Sequence, residues 1–357
     1  MTLIDYVNRV HFAENVLEEA VWAELESRGQ ATVGLISDRA HAGGELGERL
    51  RAALPHRARA TAFEAAGSVP SESEARAIAA GCSEAGCGIL LAYGPGEVIN
   101  LAKATRLILG QGAPLARYAE EEGGGIRISG PLPDLIALPS LRGFCAGFNG
   151  ILSIMLDGGR MVDIASRELT PSVTIGDPTV AANEPPEVRA STGVAAITLC
   201  VEALLSPHYN PPASGMALDG LNRALRSLDR AVAQDDPAAR RELMAACMNA
   251  GMVEQTGLGL AHAMAASLCA VAHRGTAPCS VDKGAVKRLI LPGTAGFHAR
   301  SVPDDCAGLT AALGVSRPED IAPRLSGVFR DLPLPGRLRE LGLSEDQLDA
   351  AAGLALR

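Results

Sequence analysis

The 357-residue chain is too long for one small core, so its length favours two domains. A formal net charge of -9 at pH 7 argues against a nucleic-acid or anionic-membrane partner, because both bind through basic patches. No secretory leader pattern opens the sequence, no apolar run reaches transmembrane length, and the eight cysteines are scattered, so we expect a cytoplasmic protein with reduced thiols.

The first half of the chain alternates strand and helix patterns. Apolar runs predict strands at residues 31–38, 87–94, 134–140, 150–159 and 171–178. Amphipathic patterns predict helices at residues 41–54 and 98–109. Strands that alternate with helices predict a parallel, Rossmann-like α/β sheet.

The character of the sequence changes at about residue 180. Long stretches rich in Ala, Leu and Met follow, interrupted by turn segments such as SPHYNPPASG (206–215), with almost no strand pattern. We therefore predict an α/β nucleotide-binding-like domain over residues 1–178 and an all-helical domain over residues 179–357.

One glycine-rich turn connects a predicted strand to a predicted helix at Gly94, Pro95, Gly96 and Glu97. Such a turn exposes backbone N–H groups at a helix N-terminus, where phosphates bind, and it also occurs as a purely structural turn. Glu97 stabilises the helix dipole but would repel a pyrophosphate. Asp38, at the end of an earlier strand, fits either a ligand for ribose hydroxyls or a helix cap.

His262 is the histidine of the small-residue stretch GLGLAHAMAASLCA (257–270). Taken alone, an imidazole in an apolar helix is typical of a packed core residue. The chain also has only three lysines among its 32 basic residues, Lys103, Lys283 and Lys287, so each of them is a candidate for a special role.

The order of motifs resembles the iron-containing alcohol dehydrogenase superfamily, which is related to dehydroquinate synthase, and within it the maleylacetate reductases. GPGEVINLAKA (94–104) is similar to the family's GGGSxxDxAKA loop and helix, and LIALPS (135–140) to its IAVPTT strand. STGVAAITLCVEALLSPHYNPPASGMALDGL (191–221) is similar to the helix pair that begins TGxDAxxHxxEA. The resemblance implies a dehydroquinate synthase-like fold, an α/β domain plus an all-α domain, with an active-site cleft between them.

The metal-ligand positions implied by the resemblance have changed. The family's Asp and His on one helix are Ala195 and Leu199 here, a later His is retained as His262, and the next is Lys283. A further His often found in relatives is Ala266. One imidazole and a lysine cannot form a tetrahedral or octahedral site, so we predict no catalytic metal. Maleylacetate reductases are regarded as metal-independent, so reduction remains possible.

The nucleotide-binding side has changed as well. Two loop positions that are Gly and Ser in the family are Pro95 and Glu97, and its Asp is Asn100. Asp38 keeps the position that favours NAD over NADP in relatives. The resemblance therefore implies NAD, with Glu97 as the main argument against it. The residues that we expect to contact the cofactor are Asp38, Gly94, Pro95, Gly96, Glu97 and Ser140.

His262 and Lys283 are the catalytic candidates. The Lys283 ammonium would polarise a carbonyl or enolate oxygen, as the metal does elsewhere, although a lysine at a helix start is also typical of a solvated surface residue. Residues expected to contact the substrate are Arg142, Asn149, Leu199 and Ala266; an Arg fork suits a carboxylate.

Two functions remain open at this stage. The first is a metal-independent, NADH-dependent reductase of the maleylacetate reductase type, acting on a small, carboxylated carbonyl or enoate. The second is a repurposed enzyme, a lyase, isomerase or cyclase of specialised metabolism, using the same cleft without metal or NAD. We expect a small-molecule substrate, no nucleic-acid or membrane partner, and a homodimer.

Overall fold

A computed structural model describes residues 8–29, 32–67, 69–234, 236–257, 259–272 and 281–355. The chain divides into two compact units between Ala182 and Asn183. The predicted boundary after residue 178 lies a few residues before this division.

The first unit is built on a six-stranded parallel sheet with strand order β1-β8-β5-β4-β2-β3. The strands in chain order are β1 (Arg9–Phe12), β2 (Thr32–Asp38), β3 (Arg59–Ala65), β4 (Cys87–Gly94), β5 (Asp134–Pro139), β6 (Ile151–Met155), β7 (Met161–Ala165) and β8 (Val173–Gly176). The helices are α1 (Leu17–Ser27), α2 (Arg39–Ala42), α3 (Glu45–Ala53), α4 (Glu72–Ala85) and α5 (Gly96–Gln111). The predicted parallel α/β sheet is confirmed.

The central strands β2, β4 and β5 are buried along most of their length. Their continuous apolar runs are typical of parallel strands that are covered on both faces. One face packs against α4 and α5, and the other against α1 and α3. The chain runs from β2 outwards to β3 and then returns to place β4 on the other side of β2. The resulting switch point, between the carboxyl ends of β2 and β4, is where α/β sheets bind ligands.

The predicted strand at residues 150–159 does not belong to this sheet, and that assignment is corrected. Residues Ile151–Met155 pair with Met161–Ala165 as a separate antiparallel hairpin, β6-β7. The turn sequence DGG between them, at residues 157–159, allows the chain to reverse, and Gly159 adopts a φ of 74°. Only alternate residues of the hairpin strands are buried, as expected for strands with one covered face.

The second unit contains only helices among its described residues, as predicted. These are α6 (Pro186–Leu204), α7 (Pro211–Gln234), α8 (Pro237–Val253), α9 (Leu260–Ala272), α10 (Lys283–Ser301), α11 (Ala307–Leu313), α12 (Ile321–Phe329) and α13 (Glu345–Ala355). Helix α6 is apolar around most of its circumference and is buried by α7, α8 and α10. No helix in the described ranges has the length and hydropathy needed to span a bilayer.

Helices α6 and α10 approach each other closely at Gly284. A Cβ atom at this position would lie 2.3 Å from the carbonyl oxygen and the hydroxyl of Ser191, so only glycine fits. The Ser191 hydroxyl donates to Asp282 Oδ1 at 2.5 Å, and the same oxygen accepts the Ala285 N–H at 2.7 Å. Asp282 therefore caps α10 and fixes its first turn on α6.

Candidate active site

The carboxyl edge of the sheet brings together the residues predicted to contact a cofactor. Asp38 ends β2, Gly94 ends β4, and Ser140 directly follows β5. These three strands are neighbours in the sheet, and the Ser140 N–H donates to the Gly94 carbonyl at 2.8 Å. Asp38, Gly94 and Ser140, which are far apart in the sequence, therefore lie together at the switch point of the sheet.

The first turn of α5 is in close contact with the loop after β5. The Gly96 N–H donates to the Arg142 carbonyl at 3.0 Å. A Cβ atom on Gly143 would lie 2.6 Å from both the N and Cα atoms of Gly96, and Gly143 has a φ of +77°. This contact requires glycine at position 143 and leaves little room for a side chain at position 96. One N–H of the helix N-terminus is already occupied by protein.

Glu97 has a positive neighbour. Its Oε1 atom lies 3.9 Å from Arg142 Nη2, and both side chains are partly exposed. The guanidinium reduces the repulsion that Glu97 alone would exert on a phosphate at this turn. Arg142, predicted as a substrate ligand, is therefore positioned beside the cofactor turn.

Asp38 acts as a helix cap in this structure. Its Oδ1 atom accepts the His41 N–H at 2.8 Å and lies 2.7 Å from His41 Nδ1. The His41 ring also lies near Gly94, since a Cβ added there would be 3.6 Å from the Cγ and Nδ1 atoms of the ring. His41 thus links the ends of β2 and β4. The sequence reasoning missed this residue, although its position three residues after Asp38 was a usable signal.

Two polar atoms near this edge fit the binding of a polar cofactor. The Ser140 hydroxyl is buried and has no hydrogen-bond partner in the protein, and the same is true of Asn100 Oδ1 on α5. Buried polar atoms are normally hydrogen-bonded, so an unsatisfied pair beside a helix N-terminus is consistent with a ligand that supplies the partners. This residue set therefore fits a dinucleotide.

Asn149 is engaged within the fold. Its Oδ1 atom accepts from the fully buried Lys103 Nζ at 2.9 Å, and its Nδ2 atom donates to the Cys145 carbonyl at 3.3 Å. Lys103 also donates to the Ile151 carbonyl at 2.8 Å. This network secures α5 to the segment before β6. Asn149 thus supports the fold through both polar atoms of its amide, and its contact with the substrate stays a prediction.

In the helical unit, His262 lies in the first turn of α9. Glu202, on α6, accepts the backbone N–H groups of Ala261 and His262 through its Oε1 atom, at 2.7 and 3.1 Å. These contacts satisfy free donors of the helix N-terminus and fix the position of His262. The Nδ1 atom of the imidazole is buried and has no partner in the protein.

The two lysines of α10 differ in burial. Lys283, the predicted catalytic lysine, is exposed at the first residue of the helix, whereas Lys287, one turn later, is only 4% exposed. Both charges act on His262. Sequence reasoning noted Lys287 without assigning it a role, although its i, i+4 spacing from Lys283 places both on one helix face.

Burial and these charges keep the imidazole neutral. Burial, followed by the positive charges of Lys287 and Lys283, holds the pKa of His262 well below its ordinary value. Burial also raises the pKa of Glu202, while Lys287 and the N–H groups of α9 oppose that rise. The cluster therefore combines a neutral imidazole, a buried lysine and a buried carboxyl group.

The side chains at the family's ligand positions do not fit a divalent metal. Ala195, Leu199 and Ala266 offer no donor atom, and Lys283 brings a positive charge beside the one imidazole, His262. Leu199 is buried and both alanines are partly exposed. Among the described residues, no group of three or more His, Cys, Asp or Glu side chains is arranged to hold a metal ion.

Comparison with known families matches both units. The model of the iron-containing alcohol dehydrogenases matches residues 8–178, and that of the C-terminal region of the Fe-containing alcohol dehydrogenase family matches residues 189–357. The 4-hydroxybutyrate dehydrogenase of Cupriavidus necator is 32% identical over 361 residues, covering 100% of this chain and 94% of that protein.

Solved structures share the fold at lower identity. The sulfoacetaldehyde reductase of Bifidobacterium kashiwanohense, solved in complex with NAD+, superposes with a TM-score of 0.80 at 20% identity, covering 100% of this chain and 93% of that one. The maleylacetate reductase of Agrobacterium tumefaciens gives a TM-score of 0.77 at 21% identity, with coverage of 100% and 92%.

Proposed function

The chain belongs to the iron-containing alcohol dehydrogenase family, and on that premise we propose that it is a metal-independent, NADH-dependent reductase of a small carbonyl compound bearing a carboxylate. The main support is the set of side chains around His262, where a buried lysine is found and metal ligands are replaced. The 32% identical relative is a 4-hydroxybutyrate dehydrogenase, which favours an aldehyde acid over the enoate of a maleylacetate reductase.

We propose that the turn at Gly94, Gly96 and Glu97, with Ser140, holds the cofactor's phosphates. We propose that Asp38, whose Oδ1 atom is engaged with His41, binds the ribose hydroxyls, and that its negative charge disfavours a 2′-phosphate. Arg142 offsets the charge of Glu97. When bound, NADH supplies the hydride.

The helical unit would supply charge and the proton. Hydride addition to a carbonyl carbon leaves an alkoxide, which needs positive charge nearby and then a proton. His262 is neutral, so we assign the proton to the Lys287 ammonium, which solvent reprotonates after each turnover. Lys283 adds positive potential, and its own catalytic role stays a prediction. His262 orients the carbonyl oxygen.

Binding and turnover test this proposal separately. NADH is titrated against the purified protein by fluorescence, and then 4-oxobutanoate is compared with butanal, which has the same chain length without the carboxylate. We expect saturable NADH binding and a kcat/KM higher for 4-oxobutanoate by about tenfold or more, because the guanidinium of Arg142 suits the substrate carboxylate. Absence of NADH binding at millimolar concentration would contradict the proposal and favour the non-redox alternative.

Two further expectations from the sequence remain proposals. We infer a homodimer, which size-exclusion chromatography with light scattering tests, and a cytoplasmic location. Neither is needed for the chemistry proposed above.

A further inference from the structure

A cavity of about 390 Å³ lies within the helical unit, beside the N-terminus of α9. It is formed by the end of α6, the segment before α9 and the second half of α10. Its volume is within the range of roughly 300–1,000 Å³ that is typical of small-molecule sites. The function proposed above does not use this cavity.

Two buried polar atoms of the cavity wall are unsatisfied. Glu202 lines it, is 8% exposed, and its Oε2 atom has no hydrogen-bond partner in the protein. His298 lines it as well, and its buried Nε2 atom also has no partner. Buried polar atoms without partners are costly, so two of them on one cavity indicate a ligand that hydrogen-bonds to both kinds of group.

The Glu202 carboxyl group is fixed in orientation, so its Oε2 atom cannot easily rotate towards another partner. The other oxygen, Oε1, is held by the N–H groups of Ala261 and His262. Burial raises the pKa of this carboxyl group even though Lys287 and the α9 N–H groups oppose the rise. Burial thus disfavours the ionised form of Glu202, and a cation at Oε2 would favour that form.

The rest of the wall has a larger apolar than polar surface, the polar side chains being Ser206, His208, Thr256 and Thr294. Leu205 and Leu291 contribute aliphatic surface, and Leu260 and Phe297 are 47% and 58% exposed although they are large hydrophobic residues. Apolar walls around one carboxylate select a ligand with a hydrophobic body and a single positive group.

We propose that this cavity binds a small primary ammonium compound with an apolar body, whose N–H groups donate to Glu202 Oε2 and His298 Nε2. Such a ligand differs in charge from the carboxylated substrate proposed for the reductase. The cavity lining does not include His262, Lys283 or Lys287, so this site is a second one on the same chain.

The test uses isothermal titration calorimetry of the intact protein with benzylammonium. We expect saturable binding of one molecule per chain. Benzyltrimethylammonium has the same charge without N–H donors, and phenylacetate has the opposite charge; each is expected to bind more weakly by about tenfold or more. Equal binding of either one, or no saturable binding of benzylammonium, would overturn the proposal.

Two variants locate the site. Glu202→Gln keeps an acceptor for the α9 N–H groups but removes the charge, and Thr294→Leu fills the cavity from α10. Both are expected to weaken binding by about tenfold or more. Thr310→Leu is the matched control, because Thr294 and Thr310 both donate their hydroxyl to a carbonyl of their own helical segment and Thr310 does not line the cavity.

Binding of benzylammonium that is unchanged in Thr294→Leu would overturn the location. If Glu202→Gln does not fold, the Thr294 and Thr310 variants still decide the question. NADH binding, measured on the same samples, is an independent readout, so failure of this proposal and failure of the proposed reductase function are distinguishable.

Discussion

Lys287 places a positive charge in the interior of the helical unit, next to an imidazole that stays neutral. A buried cation stabilises developing negative charge far better than an exposed one, because little water screens it. At the residue scale, this contrast between Lys287 and the exposed Lys283 is the main change from the sequence-based prediction. Sequence can identify the two lysines, but burial depends on how α10 packs against α6.

We predict that Lys287→Met lowers kcat for carbonyl reduction by about 100-fold, the usual cost of removing one group that stabilises an oxyanion. Lys283→Met is expected to change kcat by less than about fivefold, because its charge is solvated. Steady-state kinetics with 4-oxobutanoate measures both, and NADH affinity checks that the protein is intact. A larger loss in Lys283→Met would show that the exposed lysine is the catalytic one.

The neutral state of His262 predicts a pH dependence of stability. Its pKa is lower in the folded protein than the ordinary value of 6.5, so the unfolded chain binds the proton first as pH falls. The free energy of unfolding therefore decreases below about pH 6.5, by up to about 1.4 kcal/mol per pH unit from this group.

The His262→Gln variant lacks this contribution. Urea unfolding at several pH values between about 7 and 5 should give a shallower decrease for the variant than for the wild type. Identical slopes would mean that the His262 imidazole has the same pKa in the folded protein as in the unfolded chain, and would contradict this prediction. Glu202 acts in the opposite direction, but it is present in both proteins and cancels in the comparison.

At the scale of elements, the cofactor turn depends on two segments that are distant in sequence. The start of α5 and the loop after β5 contact each other through Gly96 and Gly143. The sequence predicts both segments separately, because apolar runs identify β4 and β5. It does not predict the contact, since nothing local indicates that Gly143 must lie against Gly96.

Gly143→Ala is predicted to weaken NADH binding by about tenfold or more, because its Cβ would lie 2.6 Å from backbone atoms of Gly96 and displace the turn. Gly123→Ala is the matched control, since Gly123 has a similar φ of +60° but no atom within 4 Å of the added Cβ. It should cost about 1 kcal/mol of stability and leave NADH affinity unchanged. If both variants weakened NADH binding equally, backbone strain alone would explain the loss of affinity, and the contact between Gly143 and Gly96 would not be its cause.

The strands that the sequence analysis missed were the ones with weak apolar signals. β1 and β3 are at the two edges of the sheet, and in β3 (RATAFEA) only the last residue, Ala65, is fully buried. An edge strand pairs with only one neighbouring strand and is less buried than a central strand. Its amino-acid composition therefore differs little from that of a loop. The predicted strand that contains β6 was assigned to the wrong sheet, because an apolar run does not specify its pairing partner, and its actual partner β7 was not predicted.

At the scale of the whole molecule, the fold was predictable because two different periodicities divide the chain. Strand–helix alternation ends near residue 180, and helices alone follow in the described part of the second unit. The family resemblance likewise extends over both parts, and so over nearly the whole chain. The chemistry was less predictable, because it depends on replaced residues. Ala195, Leu199 and Lys283 indicate that the family's metal ligands are replaced, but they do not indicate which buried group acts in their place.

The central claim is that this member of the family reduces its substrate without a metal. The most direct measurement is NADH oxidation by 4-oxobutanoate before and after exhaustive chelation, with metal content determined by mass spectrometry on the same sample. We predict substoichiometric metal, an unchanged rate after chelation, and no stimulation by added Fe²⁺ or Zn²⁺. Loss of activity on chelation that Fe²⁺ or Zn²⁺ restores at one ion per chain would contradict the account.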